Sequence, residues 1–196
     1  MKTFFISTIL CSFLFTAASN AGDIKGKINA KSSKRALNTI IYIEKIEGKT
    51  FLPPKEAVII DQKNLEFLPH IQPILIGTKV KFLNSDNVLH NVFSPDACAN
   101  KFNLGTWAKG TTKDYTFKEK CITTLLCNVH PEMEAYVLVL ETPYFTKSEK
   151  DGSYVIKDVP AGTYTLKVWN EKLEAEDVVI KVPAKGDIVQ NFNLKS

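Results

Sequence analysis

The chain has 196 residues, a formal net charge of +4 and 44% hydrophobic content, enough apolar material for one large or two small cores. Its lysines alternate with Asp and Glu, and Arg35 is its only arginine. The concentrated basic stripe that nucleic-acid binding requires is therefore missing.

Met1-Lys2, the apolar run Thr3 to Ala18 and the small-residue exit Ser19-Asn20-Ala21 have the three parts of a secretory signal peptide. Cleavage is expected after Ala21. The run is short for a membrane anchor and is interrupted by Ser and Thr. The mature chain is accordingly expected in an oxidising compartment, the periplasm, where a free thiol needs a reason.

From Gly22 to Glu47 the β-branched and aromatic residues Ile24, Ile28 and Ile40 to Ile43 predict two strands around a polar turn at Ser32-Ser33-Lys34. Pro53 and Pro54 supply no ladder donors, so Phe51 to Lys55 reads as a connector. Ala57 to Asp61 predicts a short strand. Leu65 to Ile76 predicts another, irregular or at an edge because Pro69 and Pro73 break it. Gly77-Thr78 turns the chain into Lys79 to Leu83, where Val80 and Phe82 share a face. Phe102 to Trp107, Lys113 to Phe117, Ile122 to Cys127 and Ala135 to Leu140 continue at the even spacing of a β-sandwich. In the tail, Thr142 to Ser196, Asp151-Gly152, Pro160-Ala161-Gly162 and Lys185-Gly186 are turn signals between further short strands. No stretch after the leader sustains a helical period, and the expected class is all-β.

Within Leu125 to Met133, LLCNVHPEM, a thiolate (Cys127), an imidazole (His130) and a thioether (Met133) can be aimed at one point by a single loop. His90, after the apolar run VKFL and the turn NSDN, offers a fourth donor. Two His, one Cys and a weakly bound Met suit copper cycling between Cu(I) and Cu(II) better than zinc or a hard cation. A lone His is more often a surface residue and a lone Met core filler, so the weight lies on the set.

GTKVKFLNSDNVLHNVFSP and CNVHPEM resemble the two ligand segments of the cupredoxins, and the short Cys-x2-His-x2-Met loop is similar to the amicyanin type. The wider frame, Val58 to Leu140, resembles secreted plastocyanin-like proteins of the methylamine-utilisation kind. The resemblance implies a Greek-key β-sandwich that holds one copper ion through His90, Cys127, His130 and Met133. It also implies that Asn91 bridges the two ligand segments, where a plain turn role is the alternative. His70 is left as a candidate additional ligand, a tuner of the site or an exposed histidine. DGSYVIKDVPAGTYTLKV resembles carboxypeptidase-regulatory-like, transthyretin-like sandwich modules, and IKGKI near the amino end looks like their first strand. Residues 22–54 and 142–196 are thus expected to form one small sandwich into which a copper domain, 55–141, is inserted. A plain two-domain order is the alternative.

Three cysteines follow the leader, so at least one is unpaired within the chain. With Cys127 kept as metal thiolate, Cys98 pairs with Cys121; a Cys121–Cys127 bridge would leave Cys98 free and no thiolate for copper. The resemblance implies a periplasmic carrier of single electrons whose partner is a c-type cytochrome or another periplasmic oxidoreductase, bound transiently. Copper storage, delivery or tolerance, or a non-redox interaction module, are the alternatives. The mature chain's single Met and three His count against copper handling. An enzyme is not expected, because no orienting residue accompanies Cys127 and His130 and histidines for a second metal are lacking.

Overall fold

A computed structural model describes residues 21–31 and 36–196. The expected leader up to Asn20 and the turn at Ser32-Ser33-Lys34 lie outside the described residues. In chain order the strands are β1 (Ala21–Asn29), β2 (Ile40–Ile43), β3 (Val58–Lys63), β4 (Glu66–Leu68), β5 (Ile71–Leu75) and β6 (Lys79–Asn84). Then come β7 (His90–Phe93), β8 (Asn103–Trp107), β9 (Thr112–Thr116), β10 (Cys121–Leu126) and β11 (Glu134–Leu140). The tail adds β12 (Phe145–Lys147), β13 (Ser153–Pro160), β14 (Gly162–Trp169), β15 (Val178–Val182), β16 (Ile188–Val189) and β17 (Phe192–Asn193). The protein is all-β, and among the described residues no helix is long and apolar enough to cross a membrane.

Strands β3 to β11 form two sheets, ordered β4-β3-β6-β9 and β5-β11-β10-β7-β8. Alternation along them sends Ile60, Phe67, Val80 and Phe82 from the first, and Val92, Leu125, Ala135, Val137 and Val139 from the second, into one core. The remaining strands form a second pair of sheets, with β13, β16 and β17 on β1, and the order β12-β2-β14-β15. Ile24, Ile156 and Phe192 face Ile41, Ile43, Leu166 and Ile180 across that core. Among the described residues, no sheet mixes strands of the first set with strands of the second.

Two strands are buried on both faces, and their sequences say so. In EAYVLVL, Ala135, Val137 and Val139 face the first core, while Leu138 and Leu140 face a third cluster with Ile40 and Ile71. In IIYI, Ile41 and Ile43 face the second core and Ile40 the third cluster, with Tyr42, Tyr136, Phe145 and Trp169 packed around it. Near-continuous apolar runs are what double-sided burial requires. The two sandwiches are therefore joined through a shared apolar layer, rimmed by Lys120 bridging Glu44 (3.2 Å) and Glu141 (3.1 Å).

The segment expected as one irregular strand, Leu65 to Ile76, is corrected: it is two strands in opposite sheets. The chain crosses between β4 and β5 at Pro69, which offers no N–H to either ladder. Pro73 is tolerated in β5 because that strand lies at its sheet's edge, paired only with β11.

Candidate metal centre

Neighbouring antiparallel strands bring the donors together. β7 opens on His90, β10 ends just before Cys127, and the pairing of Leu126 with Phe93 puts these two ends on one edge of the sheet. The turn into His90 is pinned by buried Asn84, whose side-chain amide donates to the carbonyls of Val88 (2.9 Å) and Trp107 (3.0 Å). Its Oδ1 accepts the Asp86 N–H (2.9 Å).

The ring nitrogens of His90 and His130 and Cys127 Sγ all lie within 4.8 Å of one another. His90 and Cys127 are buried and His130 is half-buried. The Nδ1 atoms of the two rings are 3.1 Å apart, less than twice a metal–nitrogen bond of about 2.0 Å, so one ion reaches both. The opposite nitrogen of His90, Nε2, lies 2.9 Å from Asp86 Oδ2. An ionised carboxylate only accepts, so Nε2 carries the hydrogen and the Nδ1 lone pair is left for a cation. Asp86 also takes the N–H groups of Asn64 (2.8 Å) and Leu65 (3.0 Å). Burial pushes its carboxyl up, but these amides and the His90 ring outweigh that and hold it below the usual carboxylate range.

Asn91 spans both segments. Its backbone N–H donates to Cys127 Sγ (3.4 Å) and its Oδ1 accepts the N–H of Asn128 (3.3 Å). Its amide donates to Asn103 Oδ1 (2.8 Å) and Gly105 O (2.7 Å), which fixes its orientation. Met133 is buried in the same core cluster as Cys127, and its N–H donates to His130 O (3.0 Å), closing the turn through Pro131. Cys98 and Cys121 are joined by a disulfide with their Cα atoms 5.6 Å apart, and Cys127 is free and buried.

The structure places His70 outside the group formed by His90, Cys127 and His130. Its Nδ1 lies 3.0 Å from the carbonyl oxygen of Glu134 and its Nε2 lies 2.9 Å from Glu171 Oε2. Two contributors escape the sequence. Asp86, in the turn four residues before His90, reads only as a turn former. Glu171, 101 residues from His70 along the chain, carries no local signal at all.

No family model matches the sequence, and comparison with curated proteins finds no match. Among solved structures, the chain is similar to a Cu-containing nitrite reductase from Thermus scotoductus SA-01, 22% identical with a TM-score of 0.41, over 50% of this chain and 25% of that one. The chain thus spans a quarter of that enzyme's length. A purple cupredoxin from Nitrosopumilus maritimus is 25% identical with a TM-score of 0.38, over 42% of this chain and 98% of that one. The oxidised state of an amicyanin point mutant is 21% identical with a TM-score of 0.40, over 44% of this chain and 84% of that one. The expectation that the chain is no enzyme is corrected by the first of these, since the likeness extends to an enzyme as well as to cupredoxins.

Proposed function

We propose that the protein is a periplasmic type 1 copper protein that carries single electrons between redox partners. The observation that carries this is the convergence of Cys127 Sγ with the nitrogens of His90 and His130 at one end of the paired strands β7 and β10. His90, Cys127 and His130 would hold the ion, with Met133 as the weak fourth donor and Asn91 orienting the thiolate from its backbone N–H. Copper bound there supplies one-electron Cu(I)/Cu(II) chemistry. The chain's contribution is to fix the donors so that little moves when an electron arrives: Asp86 holds the His90 ring, and Asn91 ties Asn128 to β7.

His130 is the half-buried member of the set, and exposed apolar residues lie beside the donors in sequence: Val88 and Leu89 before His90, Val129 before His130. That surface suits brief docking of a c-type cytochrome or another periplasmic oxidoreductase. Residues 22–54 and 142–196 act as the host sandwich into which the copper unit, 55–141, is inserted, a reading supported by the separate sheets of the two sets of strands. The test is a copper titration of the mature protein followed in the visible range. An intense thiolate-to-copper band saturating at one equivalent is expected; a colourless protein that takes up zinc instead would refute the proposal.

A further inference from the structure

We infer that Glu171, in the loop between β14 and β15, is a positioning residue for the ligand loop, acting through His70; the inference rests on the copper reading of Cys127 to Met133. His70 stands between the two sandwiches with one nitrogen on each. Nε2 meets Glu171 Oε2 at 2.9 Å, and Nδ1 meets the carbonyl of Glu134 at 3.0 Å. That carbonyl belongs to the residue directly after Met133. Both partners are acceptors, so the bridge is complete when the ring donates from both nitrogens, and the ring then has no donor free to turn elsewhere.

Each end of the bridge is itself held. The Tyr136 N–H donates to the His70 carbonyl (2.9 Å), and the His70 ring stands edge-on to Tyr136, whose ring in turn meets Trp169 at 5.3 Å. On the far side, Asn170 Oδ1 accepts the N–H groups of Lys172 (3.0 Å) and Leu173 (3.1 Å), while its amide donates to Thr39 Oγ1 (2.9 Å). Glu171 is thus presented from a turn fastened to its own sandwich, with Lys172 on its second oxygen at 3.3 Å.

The apolar layer between the sandwiches already joins them, so the bridge adds nothing needed for attachment. What it adds is local. A cleft of about 310 Å³ lined by Phe67, His70, Glu132 and Met133 separates the ligand loop from β4. Glu134 directly follows Met133, so the carbonyl held by His70 fixes the chain where it leaves the ligand loop. The second sandwich thereby helps set where His130 and Met133 stand.

The experiment compares wild type with Glu171→Ala, Glu171→Gln, His70→Ala and the Glu171→Ala/His70→Ala pair. In the metal-free protein, amide exchange at Met133 and Tyr136 is expected to rise about three- to ten-fold in Glu171→Ala, the range for losing one hydrogen bond. Glu171→Gln, which keeps an acceptor, is expected to restore most of it. In the copper-loaded protein, Glu171→Ala and His70→Ala are expected to shift the reduction potential and the visible band alike, with no further shift in the pair. Exchange that rises only within Asn170 to Leu173 would overturn the inference, as would faster loop exchange with an unchanged potential. Wild-type protein that binds no copper would overturn the copper reading instead, and the exchange measurements would still decide whether Glu171 holds the loop.

Discussion

In the sandwich built on β1, β2 and β12 to β17, the buried hydroxyls are each tied to a carbonyl: Tyr154 to Gln190 (2.6 Å), Tyr164 to Pro160 (3.0 Å) and Thr142 to Ile43 (2.7 Å). The other sandwich, made of similar strands, buries His90, Asn91 and Cys127 together at one end and turns two imidazole nitrogens toward each other at 3.1 Å. Among the described residues, every buried side-chain polar atom without a partner also lies in that unit, on Asp61, Gln62, Thr78, Trp107 and Thr123. Burying polar groups costs free energy unless they are satisfied, and the sandwich of β1, β2 and β12 to β17 closes without an imidazole pair. The His90, Cys127 and His130 group at that end is the one whose donor atoms lie close enough together to hold a metal ion among the described residues.

The largest effect expected from breaking that difference is qualitative. Cys127→Ser should remove the visible copper band entirely while far-ultraviolet circular dichroism stays that of a β protein, and no core substitution in the other sandwich should do the same.

Core truncations sharpen the comparison next. Phe82→Ala should cost about 3–5 kcal/mol and Leu166→Ala about 2–5 kcal/mol in denaturant titrations, both side chains being fully buried. Only Phe82→Ala should also weaken copper binding. Removing the Cys98–Cys121 bridge, with a sequence separation of 23, should cost about 3 kcal/mol by loop-closure entropy. Asp86→Ala should cost about 1–3 kcal/mol, since it strands the buried His90 Nε2–H; equilibrium unfolding of the metal-free protein measures it.

The smallest effect concerns acid at the joint. Burial pushes the carboxyls of Glu44 and Glu171 up, but Lys167 and Lys120 on the one, and His70 and Lys172 on the other, outweigh it and hold both below the usual 4.5. A carboxyl with a depressed folded-state pKa adds stability that is present above its unfolded value and fades as pH falls through the folded one. The thermal midpoint should therefore drop as pH is lowered from about 5 to 3, and Glu44→Gln should make that drop shallower.

What could be read from the sequence was local. Cys127, His130 and Met133 share one short loop, and the double-sided burial of EAYVLVL and IIYI shows in their unbroken apolar runs. Alternation located Lys79 to Leu83, but it could not tell that Glu66–Leu68 and Ile71–Leu75 belong to opposite sheets, because partner choice is made by strands far along the chain. The same limit hid the surroundings of the histidines. His70 looked available because nothing near it in sequence pairs with it, whereas its carboxylate comes from the opposite sandwich. Asp86 was nearer, but its role depends on the Asn64-Leu65 turn that it also holds.

X-ray absorption at the copper edge of the loaded protein tests the central claim most directly. One short sulfur scatterer with two imidazoles about the metal, the sulfur lost in Cys127→Ser, is the predicted result. A copper shell made only of nitrogen and oxygen, unchanged by that substitution, would contradict the account.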